Sequence, residues 1–169
     1  MYGEVMDKKK KRLLKLAVKD CFIILMLIML VTIVLNFRFI RDDTMHPALE
    51  KGDLLVIYCL EKPQRGEIAA YKQAGEIRYG RIIASGDDTV EITENELLYI
   101  NSNLASEEIF YPTALPDISP VTYPLRLPSD TFFILNDNRT ITDDSREHGV
   151  VEGKDVIGSV IYVIRLCRH

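Results

Sequence analysis

Three stretches gather side chains that could do chemistry. In RDDTMHPALEKGD, residues 41–53, Asp42 and Asp43 precede the hydroxyl of Thr44 and the thioether of Met45. In EIRYGRIIA, residues 76–84, Arg78, Gly80, Arg81 and Ile82 follow one another on a strand-like run. In NDNRTITDDSREHG, residues 136–149, Asp137, Asn138, Arg139, Asp144, Ser145, Arg146 and His148 crowd a short loop. A threonine hydroxyl attacks a carbonyl only beside a base. Arg81 stays protonated and Gly80 offers no side chain, so neither is a base. Ionised Asp42 and Asp43 accept hydrogen bonds and cannot donate them. Negative charge developing beside them would be repelled rather than stabilised. Asp144 and Arg146 suit a bidentate ion pair, and Asp137, Asn138, Arg139 and Ser145 suit caps and braces around it. The three histidines and three cysteines are scattered, so neither a metal site nor a cofactor is expected.

These stretches need a scaffold, and the chain after residue 41 reads as strands. Short apolar or alternating runs occur at 53–60, 67–72, 76–84, 88–93, 96–101, 131–135 and 155–165, with turn residues between them. Such spacing predicts a mainly β barrel or sandwich. No long amphipathic helix is expected there. GDLLVI, residues 52–57, reads as a tight turn feeding a buried strand. Within residues 111–128, prolines at 112, 116, 120, 124 and 128 exclude helix and central strand, and an extended connecting loop is expected. Cys59 lies on a strand-like run and reads as a small buried hydrophobe; whether it pairs with Cys167 stays open.

The first 41 residues differ in kind. They carry nine Lys/Arg against three Asp/Glu, whereas residues 42–169 carry 12 against 22, so a head of +6 precedes a body of −10. Between them Cys21–Phe37 has no charge and would span roughly 25 Å as a helix, the lower edge of a bilayer core of about 30 Å. No small-residue cleavage site follows it. The expected organisation is a basic cytoplasmic segment (1–20), an uncleaved transmembrane anchor (21–37) and an extracytoplasmic β domain (38–169), oriented by the positive-inside rule. No nucleic-acid partner is expected.

The motifs resemble those of the type I signal peptidases, membrane-anchored serine proteases with a Ser/Lys dyad. DTMHPALEKGDLLVI (43–57) resembles the box around that family's serine. RGEIAAY (65–71), YGRIIASGDDTVEI (79–92), LLYIN (97–101), FILNDNRTITDDSREHGVV (133–151) and DVIGSV (155–160) resemble its later boxes, in family order. The resemblance implies the family's β fold. It puts Thr44 at the serine position, or Asp43 if the register shifts by one, Gly80 at the lysine position and Asp42 at an oxyanion-donor position. The implied protein is a catalytically degenerate signal-peptidase-like factor of Gram-positive pilus assembly, with pilin subunits or a pilus sortase as partner. An extended peptide would bind near Asp43, Thr44, Met45, Arg78, Gly80, Arg81 and Ile82, with Gly80 making room. Asp137, Asn138, Arg139, Asp144, Ser145 and Arg146 would order the loop. The acidic body would suit a basic partner, such as a sorting-signal tail. The competing expectation is an active peptidase with Thr44 as nucleophile and His148 as base.

Overall fold

A computed structural model describes residues 2–106, 111–116 and 120–165, with side chains from Leu13 onward. The chain divides into two units, residues 1–35 and 36–169. The first is helix α1 (Tyr2–Val34). Its apolar part, Leu13–Val34, has a mean hydropathy of 2.5 and is about 33 Å long, enough to cross a bilayer core. The helix stops at Val34, three residues short of the end of the apolar run. Thr32, Ile33 and Val34 are β-branched and weaken helix propensity. Residues Leu35–Phe39 then form strand β1, where Asn36 Nδ2 lies 3.0 Å from Cys59 Sγ.

The second unit is mainly β. It contains strands β2 (Leu54–Tyr58), β3 (Ile68–Gln73), β4 (Glu76–Ser85), β5 (Thr89–Ile92), β6 (Leu98–Ile100), β7 (Asn103–Leu104), β8 (Leu125–Arg126), β9 (Thr131–Leu135), β10 (Val151–Glu152) and β11 (Val156–Ile164) and, among the described residues, one short helix between β9 and β10, α2 (Ser145–His148). One sheet has the order β1-β2-β11-β3-β4-β9-β10, the other β7-β6-β5-β8. The β3–β4 hairpin turns on Ala74 and Gly75, at φ 51° and 82°, the mirror-image geometry that matches strand twist. The proline-spaced segment contributes β8, a strand of two residues at a sheet edge, where proline neighbours cost no ladder bonds.

Strand β4 links the packing of both sheets. Its pairing with β9 shifts register between Ile82 and Ala84, so Ile82, Ile83 and Ala84 are all buried. Ile82 packs with Tyr71 and Ile134, while Ile83 packs with Val90, Leu98 and Phe133 under the smaller sheet. A third cluster joins Met45 and Leu49 to Leu55 and Ile57 of β2.

Candidate functional site

The Thr44 loop is pinned from beneath. Met45 and Leu49 are fully buried, each such side chain stabilising the fold by about 1.5–3 kcal/mol, and Leu49 N donates to Met45 O at 2.9 Å. Gly52, at φ 96°, makes the turn into β2 while its N–H bonds Ile40 O at 3.0 Å. Thr44 is thereby presented at the surface with its carbonyl accepting Asn138 N at 3.0 Å. Its hydroxyl donates to Asp42 Oδ1 at 2.6 Å and its backbone N–H to the same oxygen at 3.2 Å. A carboxylate thus sits on both groups that an acyl-transfer site would keep open. Asp43 is exposed and braces the turn through its carbonyl, which accepts His46 N at 3.2 Å. Met45 does not line a peptide cleft: its side chain points into the core, where Asp137 N lies 3.4 Å from Sδ.

On β4 the expected gap at Gly80 is closed. Gly80 is buried, and a Cβ there would lie 2.5 Å from Ile134 Cγ2, 3.2 Å from Leu135 O and 3.4 Å from Tyr71 Cε1. Ile134 and Tyr71 fill the space that a longer side chain would need. Ile82 is likewise core rather than cleft. Arg81 turns away to Asp137, with Nε–Oδ1 2.7 Å and Nη2–Oδ2 2.5 Å, and donates Nη1 to Gly66 O at 2.6 Å. Its guanidinium braces β4 to the turn before β3 and to the loop after β9.

That loop is built on a buried ion pair. Asp144 and Arg146 have fully buried side chains. Arg146 bonds Asp144 through Nε and Nη2 at 2.9 and 2.7 Å, and also donates to the carbonyls of Ala114, Arg139 and Ile141. Asp144 caps α2 by accepting Arg146 N and takes Asn136 N at 2.9 Å. Ser145 Oγ accepts Ile134 N at 3.0 Å, and buried Arg139 donates to Thr113 Oγ1 at 3.3 Å. Asn138 carries the bond to Thr44 and orients Thr140 through its side-chain oxygen.

His148 faces Asp143, with Nε2 2.5 Å from Oδ1, and has no hydrogen bond to Thr44. Arg78 completes this cluster, with Nη1 2.6 Å from Asp143 Oδ2. Partial burial pushes the Asp143 carboxyl up, but hydrogen bonds from His148 and Arg78 outweigh it and hold the group below its ordinary value. Stability from such a depressed carboxyl is present above its unfolded pKa and lost as the pH falls through the folded value. Asp143→Asn should therefore be less stable than the wild type at pH 7, with the difference closing as the pH falls through and below the ordinary carboxylate range. Urea midpoints against pH measure this; a difference that persists in acid would mean that Asp143 acts through packing instead of charge.

Asp42, Thr44, Arg78, Tyr79, Asn136 and Asp143 meet at a cleft of about 90 Å³ that Glu76 and Ile77 also line. A wider groove of about 570 Å³ runs between Phe37–Phe39, Arg41 and Asp42 on one lip and Glu76, Ile77 and Tyr79 of β4 on the other. The β4 lip has an open edge. Glu76–Arg81 pair with β3 on one side, but pairing with β9 on the other begins only at Arg81. Residues 76–80 therefore have no partner strand on that side among the described residues.

The family profile described as "Signal peptidase, peptidase S26" matches residues 13–165. The chain belongs to this signal peptidase family. Its S26 relatives include a "Probable signal peptidase I-1" of Synechocystis, 28% identical over 86% of this chain and 81% of the relative. They also include an "Inactive signal peptidase IA" of Staphylococcus aureus, 23% identical over 89% of this chain and 90% of the relative. A solved signal peptidase I of Enterococcus faecalis V583 is 30% identical and covers 59% of this chain and 97% of its own, with a TM-score of 0.49. The domain is mainly antiparallel β and is preceded by one N-terminal helix long and apolar enough to span a membrane.

Within this S26 domain, the two positions resembling the dyad do not meet as side chains, since Gly80 has none. The groove residues Phe37, Arg38, Phe39 and Arg41 are not legible as such in the sequence, because β1 merges with the end of the apolar run. The alternation in NFRFIR, with an aromatic at every second residue, was the signal for it.

Proposed function

We propose that this protein is a non-catalytic member of the signal peptidase family that binds an extended peptide at the membrane surface. It would be anchored by a single pass with its N-terminus in the cytoplasm and its β domain outside. The observation that carries the reading is the packing at Gly80. Position 80 supplies no amine, and Ile134 occupies the place where one would begin. The Thr44–Asp42 bonds support it, since the hydroxyl and the backbone donor are both engaged by a carboxylate. The S. aureus relative named as inactive is consistent with the same outcome in another chain. The open edge of β4 favours binding by strand addition, in which backbone bonds give affinity and alternate side chains give selectivity.

On the resemblance to pilus-assembly factors, the ligand would be a segment of a pilin or of its sortase. The purified full chain should release no product from a lipid-presented preprotein, and a deletion strain complemented with Thr44→Ala should polymerise pili as the wild type does. Preprotein cleavage that Thr44→Ala abolishes would overturn the non-catalytic reading. Wild-type pili in the deletion strain itself would overturn the pilus assignment.

A further inference from the structure

Helix α1 runs unbroken from Tyr2 to Val34, so the basic run at its start is helical. Residues 8–19 hold seven Lys/Arg and no Asp/Glu. At about 100° per residue, positions 8, 12, 15 and 19 fall within about 60° of one another around the axis, with position 11 at their margin. Lys8, Arg12, Lys15 and Lys19 thus make a row about 17 Å long, while Leu13, Ala17 and Cys21 take the opposite face. Asp7 and Asp20 stand about 100° round the helix from Lys8 and Lys19, and Glu4 closes the row one turn before Lys8.

Depth decides what meets this row. Leu13–Val34 is the stretch apolar enough to cross a membrane, and it matches a hydrocarbon core of about 30 Å. The headgroup layer outside each face of that core is about 5–7 Å thick, and positions 8 to 12 rise about 6 Å. Lys8 and Arg12 therefore stand at the depth of lipid phosphates. Lys15 and Lys19 begin deeper, but side chains on a helix tilt toward its N-terminus, so snorkelling carries both amines toward the same layer.

We infer that the row Lys8, Arg12, Lys15 and Lys19 is a docking site for anionic phospholipid headgroups in the leaflet on the N-terminal side of the anchor. This rests on the membrane-anchored reading above and adds a ligand class to it. A preference for basic residues beside a span orients a helix by their number; a row on one face also lets neighbouring bases share one phosphate. A zwitterionic headgroup carries the same phosphate, but its own ammonium cancels the attraction.

The full chain in a neutral detergent, titrated with phosphatidylglycerol or with phosphatidylcholine of the same acyl chains, is read by native mass spectrometry. The first phosphatidylglycerol should bind about a hundredfold more tightly than the first phosphatidylcholine, with each base contributing severalfold. Lys8→Gln/Arg12→Gln should reduce that preference about tenfold. Lys9→Gln/Lys10→Gln removes the same charge at the same depth but off the row, and should reduce it no more than about twofold. Phosphatidylcholine affinity and the thermal midpoint should stay unchanged in both. Equal affinity of the wild type for the two lipids overturns the inference. Equal losses in the two double variants also overturn it, since the preference would then follow net charge alone. A chain that stays in solution without detergent overturns the anchor itself, and this is seen before any lipid is added.

Discussion

Arg146→Met should lower the stability of the β domain by about 3–5 kcal/mol, the cost of leaving one member of a buried ion pair behind. The side chain is fully buried and makes bonds to Asp144 and to three backbone carbonyls. Methionine fills similar volume, so the loss reports charge and hydrogen bonding rather than a cavity. Replacing both partners of a buried pair by apolar residues is often nearly neutral, but not here. Asp144 also holds the N–H groups of Asn136 and Arg146, and Arg146 the carbonyls of Ala114, Arg139 and Ile141, so the double replacement orphans buried backbone groups. Arg146→Met/Asp144→Leu should therefore remain destabilised by at least about 2 kcal/mol. Arg146→Lys should fail as well, because an ammonium cannot reproduce the fork. Urea unfolding of the three variants measures this; a loss below about 1 kcal/mol for Arg146→Met would mean that the loop is held by other contacts.

This brace matters to the groove because its bonds end there. Asn138, six residues before Asp144, fixes the Thr44 carbonyl, and Asp143, next to Asp144, fixes Arg78 on the β4 lip. The loop sets the distance between the two lips of the cleft, and neither bond needs a reacting group. A domain that has given up hydrolysis can therefore keep this loop for recognition alone.

The sequence made the strands legible because period-two alternation and turn residues report one-sided burial directly. Seven expected runs correspond to β2, β3, β4, β5, β6, β9 and β11. The short strands β7, β8 and β10 have two residues each, too few for any period to register. The cleft was less legible for a different reason. Motif positions say which residues lie near Thr44, but not which way they point. Met45 sits beside a surface hydroxyl and belongs to the core. Gly80 looks like a vacancy in a one-dimensional comparison. In three dimensions a neighbour on β9, 54 positions away, has taken the space.

That packing sets the behaviour of any attempt to restore a dyad. Thr44→Ser/Gly80→Lys should be inactive toward a preprotein and less stable than the wild type. A Cβ at position 80 meets Ile134 Cγ2 at 2.5 Å, so even Gly80→Ala forces buried side chains to move, at about 1–3 kcal/mol. Lysine adds a longer chain and an amine to the same crowded space. Ile134→Ala alone should cost about 2–5 kcal/mol through its cavity. Combined with Gly80→Ala it should cost less than the sum, because one change relieves the clash made by the other, with a coupling of at least about 1 kcal/mol. Removing the clash still leaves Asp42 on the Thr44 N–H and hydroxyl. Turnover is therefore expected only when Ile134→Ala and Asp42→Ser accompany the two dyad changes, opening space for the base and freeing a donor for the oxyanion. Chemical denaturation of the cycle and product analysis on a lipid-presented preprotein decide the matter. A Gly80→Lys chain as stable as the wild type, or cleavage by Thr44→Ser/Gly80→Lys without the other two changes, would mean that the space at position 80 is open and that the site lacks only its two catalytic side chains.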